Sequence, residues 1–178
     1  LGLIGMAITS VEKGWVQVND RLCSILGYPH HELVTKTWAE LTHPDDLEAD
    51  VTQFKRVLAG ETNGYTLDKR FITKTGQVIW ATISAGCLGK PDGSVDHFVA
   101  MVQDITERKR AEAALSESEQ RFRTMANAIP QLAWIAKADG WIYWYNRRWY
   151  EYTGTTPAQM EGWGWQSVHN PQTLPAVL

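Results

Sequence analysis

Two cysteines, Cys23 and Cys87, are all that 178 residues carry. That is too few for a disulfide framework, and they lack the close spacing of a structural zinc site, so both read as free thiols of a reducing compartment. Long apolar runs are missing too. The longest, Leu1 to Ile8, falls far short of the roughly 20 residues that span a bilayer and has no charged segment before it, so no membrane segment is expected here. A cytoplasmic chain is the expectation; because it opens on Leu1 rather than Met, a membrane anchor in a longer parent stays open. Neither sign of charge prevails. Seventeen basic and 20 acidic side chains leave a formal net charge of −3 with no basic stripe, which argues against nucleic acid as a partner. There is also no phosphate-cradling glycine loop and no serine, histidine and acid set in a recognised context. A phosphoacceptor-histidine helix, an ATP lid and a cyclase signature are equally absent, so no catalytic domain is expected in this chain.

What is present is a globular balance, 44% hydrophobic and 21% charged residues, with length for one full core and part of another. An internal repeat makes that division concrete. Asn19 and Gly27 recur as Asn146 and Gly154, and Trp38, Pro44 and Leu47 recur at the same offset as Trp165, Pro171 and Leu174. His43 and His169 miss the register by one residue. The second copy stops four residues after Leu174, so it is expected to lack the material for its own full sheet.

Within the first copy, Gly14 to Val18 alternates as a strand, and Asn19-Asp20 offers side-chain oxygens to cap a helix that runs to Leu26 and closes at Gly27. Thr42 or His43 before Pro44-Asp45-Asp46 predicts a second, longer helix to about Leu58, since proline costs nothing at the first helical position and the acids face the positive dipole end. Three strand-like runs follow, Tyr65 to Ile72, Val78 to Ala85 and Val95 to Val102. Lys74-Thr75-Gly76 and Pro91-Asp92-Gly93-Ser94 join them as hairpin turns. The expected fold class is α+β, a five-stranded antiparallel sheet with helices on one face. From Ile105 to about Ala128 the chain has neither proline nor glycine and predicts one long helix. Leu115, Phe122 and Ile129 recur every seven residues on it, with Ala111, Ser118 and Met125 between, a weak heptad seam. Leu115, Phe122, Met125 and Ile129 are therefore the candidate helix-pairing residues of a homodimer.

These features together resemble the PAS family, specifically the tandem PAS/PAC modules of bacterial sensor histidine kinases. The resemblance is carried by Asn19 with Leu26-Gly27-Tyr28, by His43-Pro44-Asp45-Asp46-Leu47 and by Asp104-Ile105-Thr106-Glu107-Arg108. In the second copy it rests on Ile129-Pro130-Gln131 and on Tyr145 to Trp149 through Tyr152-Thr153-Gly154. It implies a PAS domain over residues 1–104, a connecting signalling helix over 105–128 and the N-terminal half of a second PAS domain over 129–178. The implied function is a sensory region that couples a small ligand or cofactor to a downstream kinase domain. Three alternatives stay open: a ligand-free dimerisation module, the sensory region of a diguanylate cyclase or phosphodiesterase, and that of a chemoreceptor.

Asp104, Ile105, Thr106 and Glu107 are the candidate signal-transmission residues. They sit where the last strand becomes the helix, and Asp104 with Glu107 has the spacing of a capping box. The cofactor is unknown. The family's haem ligand would lie in the helix from Asp45 to Leu58, which holds no histidine, so b-type haem is disfavoured. The Asn-Cys-Arg-Phe-Leu-Gln context of cysteinyl-flavin adducts does not occur either. His30, His31 and His43 read as loop or capping residues, because consecutive histidines do not face one another as a zinc pair would. The tryptophans of the second copy read as packing residues, Arg108-Lys109-Arg110 as a solvated helix face, and Asp45-Asp46 as acids at a helix start.

Overall fold

The computed structural model describes residues 4–89 and 95–176. Its chain forms two compact units, Leu1–Ala111 and Glu112–Leu178. The first opens with strands β1 (Gly5–Ser10) and β2 (Trp15–Val18), then short helices α1 (Asp20–Leu26), α2 (His30–Leu33) and α3 (Trp38–Leu41) and the longer α4 (Pro44–Leu58). Strands β3 (Gly64–Ile72), β4 (Val78–Gly89) and β5 (Val95–Asp104) complete a five-stranded sheet of order β2-β1-β5-β4-β3. Every neighbouring pair is antiparallel. Both long hairpin strands run past the sequence expectation, β4 to Gly89 and β5 to Asp104, because their pairing continues without a break from Ala81–Asp104 to Leu88–His97. The turn expected at Pro91-Asp92-Gly93-Ser94 lies outside the described residues.

Helices cover one face of this sheet and bury its apolar side chains. Leu22, Leu26, Leu33, Phe54, Val57, Phe71, Phe98 and Val102 are almost fully enclosed. Phe54 of α4 stacks on Phe98 of β5 with ring centroids 4.5 Å apart, which seats the longest of these helices across the sheet. Its start is fixed as proline chemistry requires: Pro44 occupies the first turn, and the His43 ring accepts a hydrogen bond from the Asp45 amide at 3.3 Å.

Helix α5 (Thr106–Ala128) leaves β5 directly. In the second unit, β6 (Trp134–Ala136) and β7 (Ile142–Tyr145) form a two-stranded antiparallel ribbon, followed by α6 (Arg147–Thr153), α7 (Pro157–Met160) and two 3-10 turns, Gly164–Val168 and Leu174–Ala176. A small core of Ile142, Tyr145, Trp149, Met160 and Trp165 holds it together. The repeat is carried in the backbone as well as the sequence. Gly27 and Gly154 both end their helices in the left-handed conformation, with φ of 74° and 68°. Such a φ admits glycine without strain.

Candidate functional site

The interior of the first unit encloses a charged pair. Along β3 the side chains alternate, so Tyr65, Leu67, Lys69 and Phe71 share the inner phase while Thr66, Asp68 and Arg70 take the outer one. Lys69 therefore enters the core, 2% exposed, where its ammonium meets the carboxylate of Asp50 from α4, 1% exposed. The Thr42 hydroxyl accepts a second bond from Lys69 at 2.9 Å, and the Tyr65 phenol donates to Asp50 at 2.9 Å. The rings of Phe71 and Trp38 lie 4.3 and 4.8 Å from the ammonium. Burial pulls the Lys69 pKa down, against the opposing pull of Asp50. Burial, and then the Asp50 charge, hold the Tyr65 phenol protonated far above its usual range.

A cavity of about 20 Å³ adjoins this pair, walled by Thr9, Trp15, Trp38, Phe54, Tyr65 and Phe98 among others. That is room for about one water. The Trp15 indole N–H on its wall is buried with no hydrogen-bond partner, a donor that a small polar guest would satisfy. Chemically the site can take a water-sized polar molecule as it stands. Among the described residues no histidine or cysteine lines it. Sequence reasoning passed over this cluster, yet a signal existed. Lys69 stands on the apolar phase of its strand, and Asp50 stands three residues after Leu47 and four before Phe54 on the inward face of α4.

The junction residues assemble at the far end of β5. Ile105 is buried, and its amide donates to the Trp80 carbonyl at 2.9 Å. The Thr106 hydroxyl accepts from the Trp80 amide at 3.0 Å, and the Thr106 amide donates to the Asp104 carboxylate at 2.8 Å. Glu107 does not close the expected capping box. Helix α5 begins at Thr106, so Glu107 is its second residue and falls one short of the third position that such a box uses. Three of the four junction residues thus fasten the helix start to β4 or close it, while Glu107 faces an open cleft shared with Arg110.

Leu115, Phe122, Met125 and Ile129 are all exposed, at 63, 44, 64 and 42%. Ile129 lies one residue beyond the end of α5, and Phe122 meets Trp144 with ring centroids 5.5 Å apart. His30 and His31 occupy the short α2, and among the described residues no cluster of histidine, cysteine and acids could hold a metal ion. Asp45 and Asp46 do more than face a helix dipole. Arg70 donates to both oxygens of Asp46, at 2.7 and 2.9 Å, and to Asp45 at 3.1 Å, which pins α4 to β3. Lys109 is likewise more than a solvated cation: it lies 3.3 Å from the Asp68 carboxylate and 5.3 Å from the Trp80 ring centre. The basic run hides this role in the sequence because its partner lies far upstream, on β3.

Family models match the chain at two places. A PAS fold model covers residues 16–102 and a PAS domain model covers residues 120–175. The chain is a tandem of PAS domains. A probable diguanylate cyclase, DgcE of Escherichia coli, is 33% identical over 90% of this chain, which spans 14% of that protein. The sensor histidine kinase TmoS of Ectopseudomonas mendocina is 24% identical over 66% of the chain, again a small part, 12%, of the relative. Among solved structures, a sensory box histidine kinase/response regulator from Burkholderia thailandensis superposes with a TM-score of 0.56 at 27% identity, over 68% of this chain and 91% of that one. This PAS pair is thus a sensory region similar to parts of much longer signalling proteins. No helix among its described residues is long and apolar enough to cross a membrane.

Proposed function

We propose that the chain transmits a state of the first PAS interior to a downstream output domain, through the Asp104–Glu107 junction and α5. One observation carries this: the start of α5 is tied to the backbone of Trp80 on both sides, Ile105 donating to its carbonyl and Thr106 accepting from its amide. A shift of β4 and β5 over the interior would therefore move the helix rather than be lost in a loop. In this reading the interior takes a small ligand beside Lys69 and Asp50. Two chains pair as a homodimer along Leu115, Phe122 and Met125, in the cytoplasm, with no nucleic acid involved.

For the output, two enzymes are in view. A diguanylate cyclase is supported by 33% identity over 90% of the chain with the Escherichia coli relative. A histidine kinase, the expectation from the sequence, is supported by the Burkholderia thailandensis structure at 27% identity. The test is made in the full-length parent. Thr106→Val and Asp104→Ala should each alter its nucleotide-cyclising or autophosphorylating rate severalfold, and an unchanged rate in both variants removes the junction from the mechanism.

A further inference from the structure

The outer face of β3 carries a second attachment of α5, distinct from the junction at Trp80. Asp68 lies directly beside Lys69, but on the opposite side of the sheet. Its carboxylate accepts from the Thr82 hydroxyl at 2.6 Å and lies 3.3 Å from the Lys109 ammonium and 3.7 Å from the Arg108 guanidinium. The Thr82 bond, followed by these two cations, holds the Asp68 pKa below its usual value. Lys109 is one turn into α5, its amide bonded to the Ile105 carbonyl at 2.9 Å. The Lys109 ammonium also sits 5.3 Å from the Trp80 ring centre, and the Arg70 guanidinium sits 5.4 Å from the same ring. Three consecutive residues of one strand therefore face three different things: Asp68 the exit helix, Lys69 the interior, and Arg70 the start of α4.

We propose that Asp68 and Lys109 are positioning residues which clamp the first turn of α5 to β3, giving the interior a second connection to the signalling helix beside β5. The inference rests on the reading of α5 as the transmitting element. Because Asp68 and Lys69 are consecutive in a strand paired without a break to β4, a displacement of Lys69 from Asp50 reaches Asp68 without an intervening loop. An exposed ion pair is weak, which suits a contact that must open and close.

Amide hydrogen exchange on this chain, read from peptides covering residues 105–111, tests the clamp. Asp68→Asn and Lys109→Met should each speed exchange at Lys109 to Ala111 by about two- to fivefold. Lys109→Arg, which keeps both the charge and the ring contact, should leave the rate as it was. High salt should move the unaltered protein toward the two weakened variants. Unchanged exchange in both, or acceleration spread equally over α4 and the whole sheet, overturns the clamp. In the full-length parent, output that responds to Thr106→Val but not to Asp68→Asn refutes the second connection alone. Output that responds to neither removes the transmitting reading beneath it.

Discussion

Asn146 makes, bond for bond, the contacts of Asn19, each moved on by the constant offset of the repeat. Asn19 accepts from the amides of Met6 and Leu22 and donates to the Ile4 carbonyl, at 2.9, 2.9 and 3.1 Å. Asn146 accepts from Ala133 and Trp149 and donates to Gln131, at 3.1, 3.2 and 2.9 Å. Asn146 also donates to the Ala126 carbonyl in the last turn of α5, at 3.2 Å. A single amide thus caps a helix, fixes the first strand of its domain and, in the second copy, holds the end of the connecting helix.

Removing that amide should cost the second unit more than the first. Asn146 is fully buried, so Asn146→Ala strands the Ala126 and Gln131 carbonyls and the Ala133 amide. About 1–3 kcal/mol is expected, against about 1 kcal/mol for the partly exposed Asn19 as a lost cap. Denaturant unfolding followed by circular dichroism reads both, and equal losses would show that the deeper burial of Asn146 carries no weight.

Breaking the interior pair from one side should be severe. Lys69→Met or Asp50→Leu leaves a lone buried charge, for which about 3–5 kcal/mol is expected. The double replacement by apolar residues should recover much of that, because the desolvation of both charges disappears with them. A thermal melt of the three variants distinguishes this from simple loss of packing, in which the double variant would be the worst of the set.

Acid should loosen α4 from β3. Hydrogen bonds from Arg70 hold the Asp46 pKa below its ordinary 3.8. Its contribution to stability is therefore complete above that value and is lost as the pH falls through the lower, folded one. Asp46→Asn should flatten the fall of stability below about pH 4 while leaving its shape near neutrality alone. A variant that keeps the full acid dependence would assign it to other carboxylates, Asp68 among them.

Self-association should respond to the exposed side chains of α5. Leu115→Asp and Met125→Asp together should shift any dimer toward monomer in sedimentation, with no loss of the first domain's melting transition. A sedimentation coefficient that does not move would take the helix out of the pairing.

The helices and strands of the first domain were legible because each announces itself locally. Asn19 and Gly27 bracket α1, Pro44-Asp45-Asp46 opens α4, and period-two alternation marks β3. The repeat was equally plain, since it needs only identity at fixed spacing. What could not be read was which charged residues meet across the fold. Lys69 with Asp50, Arg70 with Asp46 and Lys109 with Asp68 are far apart in sequence, and their pairing depends on the sheet register that brings β3 under α4 and beside α5. The Glu107 cap failed for a smaller reason: Thr106 turns its hydroxyl to Trp80, and the helix starts one residue later than a cap at Asp104 would place it.

The alternation of Asp68, Lys69 and Arg70 also guards the assembly of the sheet. Sliding β3 by one position would swap the cation inside for a carboxylate or a guanidinium. A carboxylate there would confront Asp50 with its own sign of charge, and a guanidinium would be too bulky for the roughly one-water gap. A mispaired strand is thereby penalised, so the charged pair inside the first domain also tells β3 where to stop.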